Sequence, residues 1–142
     1  MTRIKLGSLL LCLILVLAGC GQPSSLLTEV KEKNLNKDIL SFIEQTDADS
    51  GLYLFSRAGE TSYIICNNKH VVQGEQAVYI ESVDGVVKNR ELEVRIEEGY
   101  TEDYDDERLG KLRVFKINDG ADFDSIRMLK NQKDTPFDVV GG

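Results

Sequence analysis

The sequence predicts a mainly β protein with a minor α component: a small antiparallel β-sandwich or partly open barrel preceded by one N-terminal amphipathic helix. The chain has 142 residues, the length of one domain. Apolar residues recur at helical spacing in residues 35–45. From Gly51 onward the pattern changes to short segments separated by turn residues, as in sandwiches and barrels. We therefore expect a single domain over residues 35–142.

The first residues have the composition of an export signal. Arg3 and Lys5 form a short basic start, and residues 9–17 form an apolar stretch. The stretch is shorter than the roughly 20 apolar residues that a permanent membrane-spanning helix needs. Residues 1–19 are therefore predicted to be a cleaved signal peptide.

The end of this segment carries a lipidation pattern. Leu17-Ala18-Gly19-Cys20 resembles the lipobox of bacterial lipoprotein precursors. The resemblance implies cleavage between Gly19 and Cys20, a diacylglycerol on the Cys20 sulfur, and an N-acyl chain such as palmitate, with no other cofactor. Two or more acyl chains anchor a protein stably. We expect the mature chain on the extracytoplasmic face of the cell membrane, or on an outer membrane if the cell has two.

A tether and a helix are predicted to follow Cys20. Residues 20–34 begin with the polar, flexible stretch 21–25 and are interpreted as the tether. An amphipathic helix is predicted over residues 35–45, with Asn34 or Asn36 as its N-cap. Its basic and acidic residues balance, which favours packing on the domain over lying on the membrane.

The remaining segments are predicted to be strands. In the clearest of them, Leu92, Val94 and Ile96 alternate with charged residues, so one face is predicted to lie in the core and the other in water. Residues 111–117 could pair with this strand, with a bulge or burial of both faces. The predicted strands are 52–57, 61–66, 70–73, 77–83, 91–97, 111–118, 125–129 and 136–140, and the predicted turns include 67–69 and Asp84-Gly85.

This order of strands resembles a family of small, mostly β lipoprotein domains, the C-terminal domain of a protease-complex subunit of bacterial envelopes. The resemblance lies in residues 62–65, 74–83, 92–94 and 114–117. The chain differs in having only Gly74 where such domains tend to have a glycine pair, and an acidic loop where they have a proline-rich one. The resemblance implies a binding role.

One pair of residues has the chemistry of a nucleophile and a base. If residues 67–69 formed a hairpin loop, Cys66 and His70 would face each other across the ribbon, about 5 Å apart at Cβ. A small thiol-dependent enzyme would use such a pair. No orienting group or oxyanion site accompanies it, and the alternative is a buried hydrophobe beside a surface histidine. We assign no catalytic residue.

The stretch 102–107 contains five carboxylates in six residues. Asp103, Asp105 and Glu107 are weak candidates for a calcium site, which normally also needs backbone carbonyls and a sharp glycine turn. Residues 47–51 likewise begin as a calcium loop does but lack its distal glutamate. A solvated loop without a metal is the simpler interpretation. Tyr100 and Tyr104 in this region are candidates for a partner surface.

Charge and missing motifs narrow the function further. The chain has 24 acidic and 17 basic residues and a formal net charge of -7, which opposes nucleic-acid binding. It contains no phosphate-binding glycine loop, paired metal-ligand cysteines or nucleophile elbow. We therefore predict a non-enzymatic lipoprotein that binds another envelope protein or a surface ligand through an edge strand or the acidic loop. The thiol enzyme and a calcium-binding surface lipoprotein are the alternatives.

Overall fold

The computed structural model describes residues 25–46, 50–120 and 122–142. These residues form three layers, namely one helix, a five-stranded sheet and a four-stranded sheet. We call the five-stranded sheet the central sheet, because it has the helix on one face and the four-stranded outer sheet on the other. The mainly β class and the sandwich are confirmed, and the sheets do not close into a barrel.

Nine strands and one α-helix make up the layers, with a short 3-10 helix at Glu32–Asn34. The helix α1 is Lys37–Thr46. The strands are β1 Leu27–Val30, β2 Gly51–Phe55, β3 Tyr63–Asn68, β4 Ala77–Lys88, β5 Glu91–Thr101, β6 Lys111–Ile117, β7 Ser125–Lys130, β8 Lys133–Asp134 and β9 Val139–Gly141.

Both sheets are mixed, which corrects the expectation of a purely antiparallel fold. The central sheet has the order β1-β6-β3-β2-β9, and the outer sheet has the order β4-β5-β7-β8. Strands β2 and β9 pair in parallel, as do β5 and β7, while all other neighbours are antiparallel. Each parallel pair joins strands that are separated by a long connection, as parallel pairing requires.

The central sheet has a hydrophobic core on each side. Alternate side chains of one strand therefore enter different cores: Ile64 packs toward the outer sheet and Ile65 toward the helix, and both are fully buried. Strand β6 follows the same rule, with Phe115 on the outer-sheet side and Val114 on the helix side. Of the two alternatives for residues 111–117, a bulge or burial of both faces, the structure has the second.

The helix begins at its predicted cap. The Ile39 amide donates to the Asn36 Oδ1 at 3.0 Å, which satisfies one of the free amides of the first turn. Ile39 and Ile43, four residues apart, lie buried against the central sheet. The amphipathic helix packs on the domain, as its spacing predicts.

The predicted boundary between tether and domain is wrong. Residues 27–30 form β1, which pairs with β6 from Leu27↔Ile117 to Val30↔Val114. Leu27 is buried in the core between the sheets. The folded domain therefore includes residues that were predicted to be tether, because apolar side chains before the helix complete an edge of the central sheet.

Strand β4 runs through the turn that was predicted at Asp84-Gly85. A Cβ at Gly85 would lie 3.1 Å from Cγ of Leu27, so the glycine allows a close approach to β1 and does not form a turn. The actual turn is Asn89-Arg90, where both residues have positive φ, 51° and 62°, as in a two-residue hairpin.

Two further strand predictions are corrected. Strand β5 pairs with β4 and β7, and β6 pairs with β1 and β3, so the predicted neighbours belong to different sheets. Residues 70–73 are a loop. The predicted apolar face of β5 is confirmed, since Leu92, Val94 and Ile96 are fully buried in the core, whereas on the face that was predicted to lie in water Glu93 is only 8% exposed.

Candidate binding cleft

The two ends of the sandwich differ. Antiparallel register places Leu27, where the described chain enters the central sheet, at the same end as Ile117 and Tyr63. We call this the entry end. The opposite, far end has the last residues of β3 and β7, the first residues of β2 and β4, and the loops 69–76 and 102–110.

A cleft of about 460 Å³ opens between the sheets at the far end. Residues from both sheets and from loop 69–76 contribute to its walls. Apolar, uncharged polar and charged side chains line it, so the cleft offers both contact area and orienting polar groups. Its lining includes His70, Val72, Val78, Glu98, Lys130 and Asp138.

One wall is an ion pair anchored by an asparagine. Nζ of Lys130 lies 3.4 Å from Oε1 of Glu98, and the Glu98 side chain is only 12% exposed. The Glu98 amide donates to Oδ1 of Asn131 at 2.8 Å. Because a partly dehydrated pair keeps its attraction better than one in open water, these charges give the wall a fixed polarity.

The opposite wall is fixed by Asp138. Its Oδ2 accepts from the Leu52 amide at 2.8 Å, and its own amide donates to the Leu52 carbonyl at 2.8 Å. This reciprocal pair attaches the segment before β9 to the start of β2. The wall is therefore formed by the backbone of the central sheet as well as by a side chain.

Tyr104 joins the two loops of the far end. Its hydroxyl donates to the Glu75 carbonyl at 2.6 Å and accepts from the Gly74 amide at 3.0 Å. Behind it, Leu109 packs on Ala77 and Tyr79 of β4. The loop that was predicted to be a solvated acidic stretch is therefore attached to both its neighbouring loop and the outer sheet.

Two of the five carboxylates of residues 102–107, those of Asp103 and Asp106, accept hydrogen bonds within their own turns. Oδ1 of Asp103 accepts from the Asp105 amide at 3.0 Å. Asp106 forms a bidentate pair with Arg108, accepting from Nε at Oδ1 and from Nη2 at Oδ2, and these hydrogen bonds hold the pKa of Asp106 down at about 2. Among the residues that the structure describes, no group of three or more His, Cys, Asp and Glu side chains converges on a metal site. Asp103, Asp105 and Glu107 are not brought together.

The predicted pair of Cys66 and His70 does not form as proposed. Asn67 and Asn68 are not a hairpin loop but continue β3, opposite Leu112 and Lys111 of β6. Cys66 is fully buried in the core, and burial raises the pKa of its thiol to about 12, whereas His70 lies exposed in the loop beyond. A neutral, enclosed thiol is not a nucleophile.

The predicted partner residues both lie at the far end. Tyr100 is 54% exposed and Tyr104 is 42% exposed. Tyr100 follows Glu98 on the same face of β5, opposite Val78, and its hydroxyl is 3.4 Å from Nδ2 of Asn131. The two tyrosines therefore border the region of the cleft from β5 and from the acidic loop.

Sequence reasoning had singled out one residue of the cleft lining, His70, as a candidate base, but it missed Glu98, Lys130 and Val72. Glu98 follows Leu92, Val94 and Ile96 at a spacing of two, and Lys130 follows Ile126 and Met128 in the same way. A charged residue that continues the core face of a strand marks the place where the core opens to solvent. Val72, at 62% exposed, had no such signal because it lies in a loop.

Comparison with known proteins gives no relatives. The chain matches no protein-family model, no curated protein and no solved structure. The likeness to the protease-complex subunit domains therefore stays a prediction.

The lipidation site, the signal peptide and residues 47–49 lie outside the described residues. None of the helices in the described residues is long and apolar enough to cross a membrane.

Proposed function

We propose that this protein is a lipoprotein, anchored through Cys20 to the extracytoplasmic face of a bacterial membrane, whose domain is a non-enzymatic module that binds another envelope protein. The sequence of residues 1–20 supports the anchor. The far-end cleft supports the binding role. The covalent lipid is the only attached group in the proposal.

The observation that carries the binding role is the cleft between the two sheets. Its volume of about 460 Å³ is within the range of ligand pockets, roughly 300–1,000 Å³. Val72 beside it is the most exposed large apolar side chain of the domain after Val140. An apolar side chain of a partner could contact Val72 and Val78 while the charged Glu98 and Lys130 orient its backbone.

A protein fits this surface better than a small molecule does. Tyr100 and Tyr104 are exposed aromatic side chains beside the cleft, and tyrosines are enriched where proteins contact each other. The far end thus combines a concave site for one anchoring side chain with a surrounding contact surface, the arrangement of a binding hot spot and its rim.

Mass spectrometry of the protein purified from its own membranes tests the anchor. We expect the mature chain to begin at Cys20 and to carry a diacylglycerol and an N-acyl chain. A Cys20→Ser variant should carry no acyl chain and should not begin at residue 20. A native chain that begins elsewhere and carries no lipid would refute the anchored lipoprotein.

Photo-crosslinking in living cells tests the partner. A photoreactive amino acid at Val72 or at Tyr100 should crosslink one specific protein in stoichiometric amounts. The matched control is Asp84, which is exposed on β4 of the outer sheet away from the cleft. Equal crosslinking from all three positions, or none from Val72 and Tyr100 across growth conditions, would contradict a binding site at the far end.

A further inference from the structure

We propose that the anchored domain holds its cleft away from the membrane, so that the cleft receives a segment of a protein from the aqueous compartment. This inference rests on the lipid anchor proposed above and concerns the direction in which the binding surface faces. It follows from where the chain enters the fold.

The chain enters at the end opposite the cleft. The Asn118 amide donates to the Leu26 carbonyl at 2.9 Å, and Nδ2 of Asn118 contacts the Ser25 carbonyl. These bonds attach the first described residues to the end of β6, at the entry end. Strand β5 leads from its first residue, at the entry end, to Glu98 in the cleft wall.

Distances along the chain oppose an inverted domain. Leu27 lies against Gly85, which pairs with Val94, so Glu98 is four residues beyond the level of Leu27 and Ser25 is two residues behind it. Six residues correspond to about 20 Å at the usual rise of a strand, whereas the five residues from Cys20 to Ser25 can span about 18 Å at most. With the cleft against the bilayer, the connection to the lipid would have to be fully extended and would still not reach the level of Glu98.

Charge favours the same orientation. The far-end loop 102–110 has five carboxylates and one basic residue, Arg108, a net charge of -4. At the entry end, residues 89–90 and 118–124 have three carboxylates and one basic residue, Arg90, a net charge of -2; Arg90 pairs with Asp122 at 3.0 Å and with Asp124 at 2.7 Å. A membrane surface that contains anionic lipid repels the far end more strongly than the entry end.

The orientation decides the class of partner. A cleft that faces away from the bilayer cannot take an acyl chain or a headgroup of the membrane that anchors it. A segment of an extracytoplasmic protein that presents an apolar side chain beside a Lys or Arg fits the site, since Val72 and Val78 provide apolar contact. The carboxylates in the lining, Glu75, Glu98 and Asp138, outnumber Lys130 there and attract a positive charge.

Energy transfer from two labelled positions to a headgroup-labelled lipid tests the orientation. The full lipidated protein, with Val72→Cys at the far end or Asp119→Cys at the entry end, is labelled with a maleimide dye. It is then incorporated into phosphatidylcholine and phosphatidylglycerol vesicles. Both positions are exposed, while the buried thiol of Cys66 makes the unsubstituted protein the control for background labelling.

We expect the transfer efficiency from position 119 to exceed that from position 72 by about twofold or more, because the two differ in height by much of the length of β5. Equal efficiencies, or a higher efficiency from position 72, would overturn the proposed orientation while leaving the anchor intact. Protein that does not float with the vesicles would overturn the anchor and the orientation together.

Discussion

The central and outer sheets differ in how many of their faces are covered. Both faces of the central sheet are buried, one under α1 and one under the outer sheet, and its strands are accordingly apolar at consecutive positions, as in Ile64-Ile65. The outer sheet is fully covered on one face, and its other face is covered only near Ala77 and Tyr79, by the loop 102–110. On that other face, Glu93 is 8% exposed and pairs with Arg95 and Lys88, and Arg127 pairs with Asp134. Apolar residues at consecutive positions thus indicate a strand that is covered on both faces, and alternating apolar and charged residues indicate a strand that is covered mainly on one.

Truncation of a residue under the helix should produce the largest effect. Ile65→Ala removes a fully buried side chain between the central sheet and α1. We expect the free energy of unfolding to fall by about 4 kcal/mol, since the surrounding layers cannot close the cavity. The control is Val86→Ala in the outer sheet, half-buried and opposite Glu93, with a cost below about 1 kcal/mol. Equal losses in urea denaturation would contradict the difference between the sheets.

A second prediction concerns the one part of the outer sheet that a loop covers. Leu109 packs on Ala77 and Tyr79, so Leu109→Ala should cost about 2 kcal/mol, less than in the main core because the loop can move to fill the space. It should also accelerate hydrogen exchange of the Gly74 amide, which is bound to Tyr104. The control is Leu129→Ala, because Leu129 is half-buried in β7 and does not belong to the cluster of Leu109. It should leave hydrogen exchange of the Gly74 amide unchanged. Unchanged exchange in the Leu109 variant would mean that the far-end loops are not one unit.

A third prediction weakens the helix that covers the central sheet without changing the sheet itself. Asn36→Ala removes the acceptor of the Ile39 amide and should lower stability by about 1 kcal/mol. Asn34→Ala, at the end of the preceding 3-10 helix, is the matched control and should have little effect. Equal effects in thermal unfolding would show that Asn36 does not cap α1.

The smallest expected effect on stability concerns an ion pair between β1 and β6, at the edge of the central sheet that lies close to β4. Arg113 forms a bidentate pair with Glu29 of β1 at 2.8 and 2.9 Å, and donates to the Ile80 carbonyl of β4 at 3.1 Å. Hydrogen bonding from Arg113 lowers the pKa of Glu29. Because the folded-state pKa is the lower one, this pair stabilises the fold above the ordinary pKa of glutamate, and the contribution is lost as pH falls through the lowered value.

Glu29→Gln should therefore cost about 0.5 kcal/mol at neutral pH, because Glu29 is half exposed. The difference from the unsubstituted protein should disappear under acidic conditions. Denaturation at a series of pH values measures both. Glu44→Gln on the exposed side of α1 controls for the loss of a carboxylate. A cost that stays constant with pH would exclude the ion pair as its cause.

Much of the fold could be predicted because local patterns report burial directly. The spacing of Ile39 and Ile43 indicates α1, and the alternation from Leu92 to Ile96 indicates a strand with one wet face. The length of β4 could not be predicted, since Asp84-Gly85 has turn composition whether it turns or passes under Leu27. Only the packed structure shows that Gly85 is needed for that contact.

The candidate site was less predictable, for a different reason. Its walls come from β5, β7, the loop after β3 and the segment before β9, which are distant in sequence and meet only through the order of strands in two sheets. Tyr100 and Tyr104 could be selected as exposed aromatics. The parallel pairing of β5 with β7, which sets Ile96 beside Lys130 and so brings Lys130 to Glu98, has no local signal.

The antiparallel pairing of β1 with β6 also has a mechanical consequence. In the proposed orientation, a partner bound at the far end would pull in one direction and the lipid in the other, with the strands lying along that line. The four residue pairs from Leu27↔Ile117 to Val30↔Val114 would then be loaded in shear, so that their hydrogen bonds resist together and do not open one after another. Strand β1, although it lies at the edge of the central sheet, would in this way withstand tension between the membrane and a partner bound in the cleft.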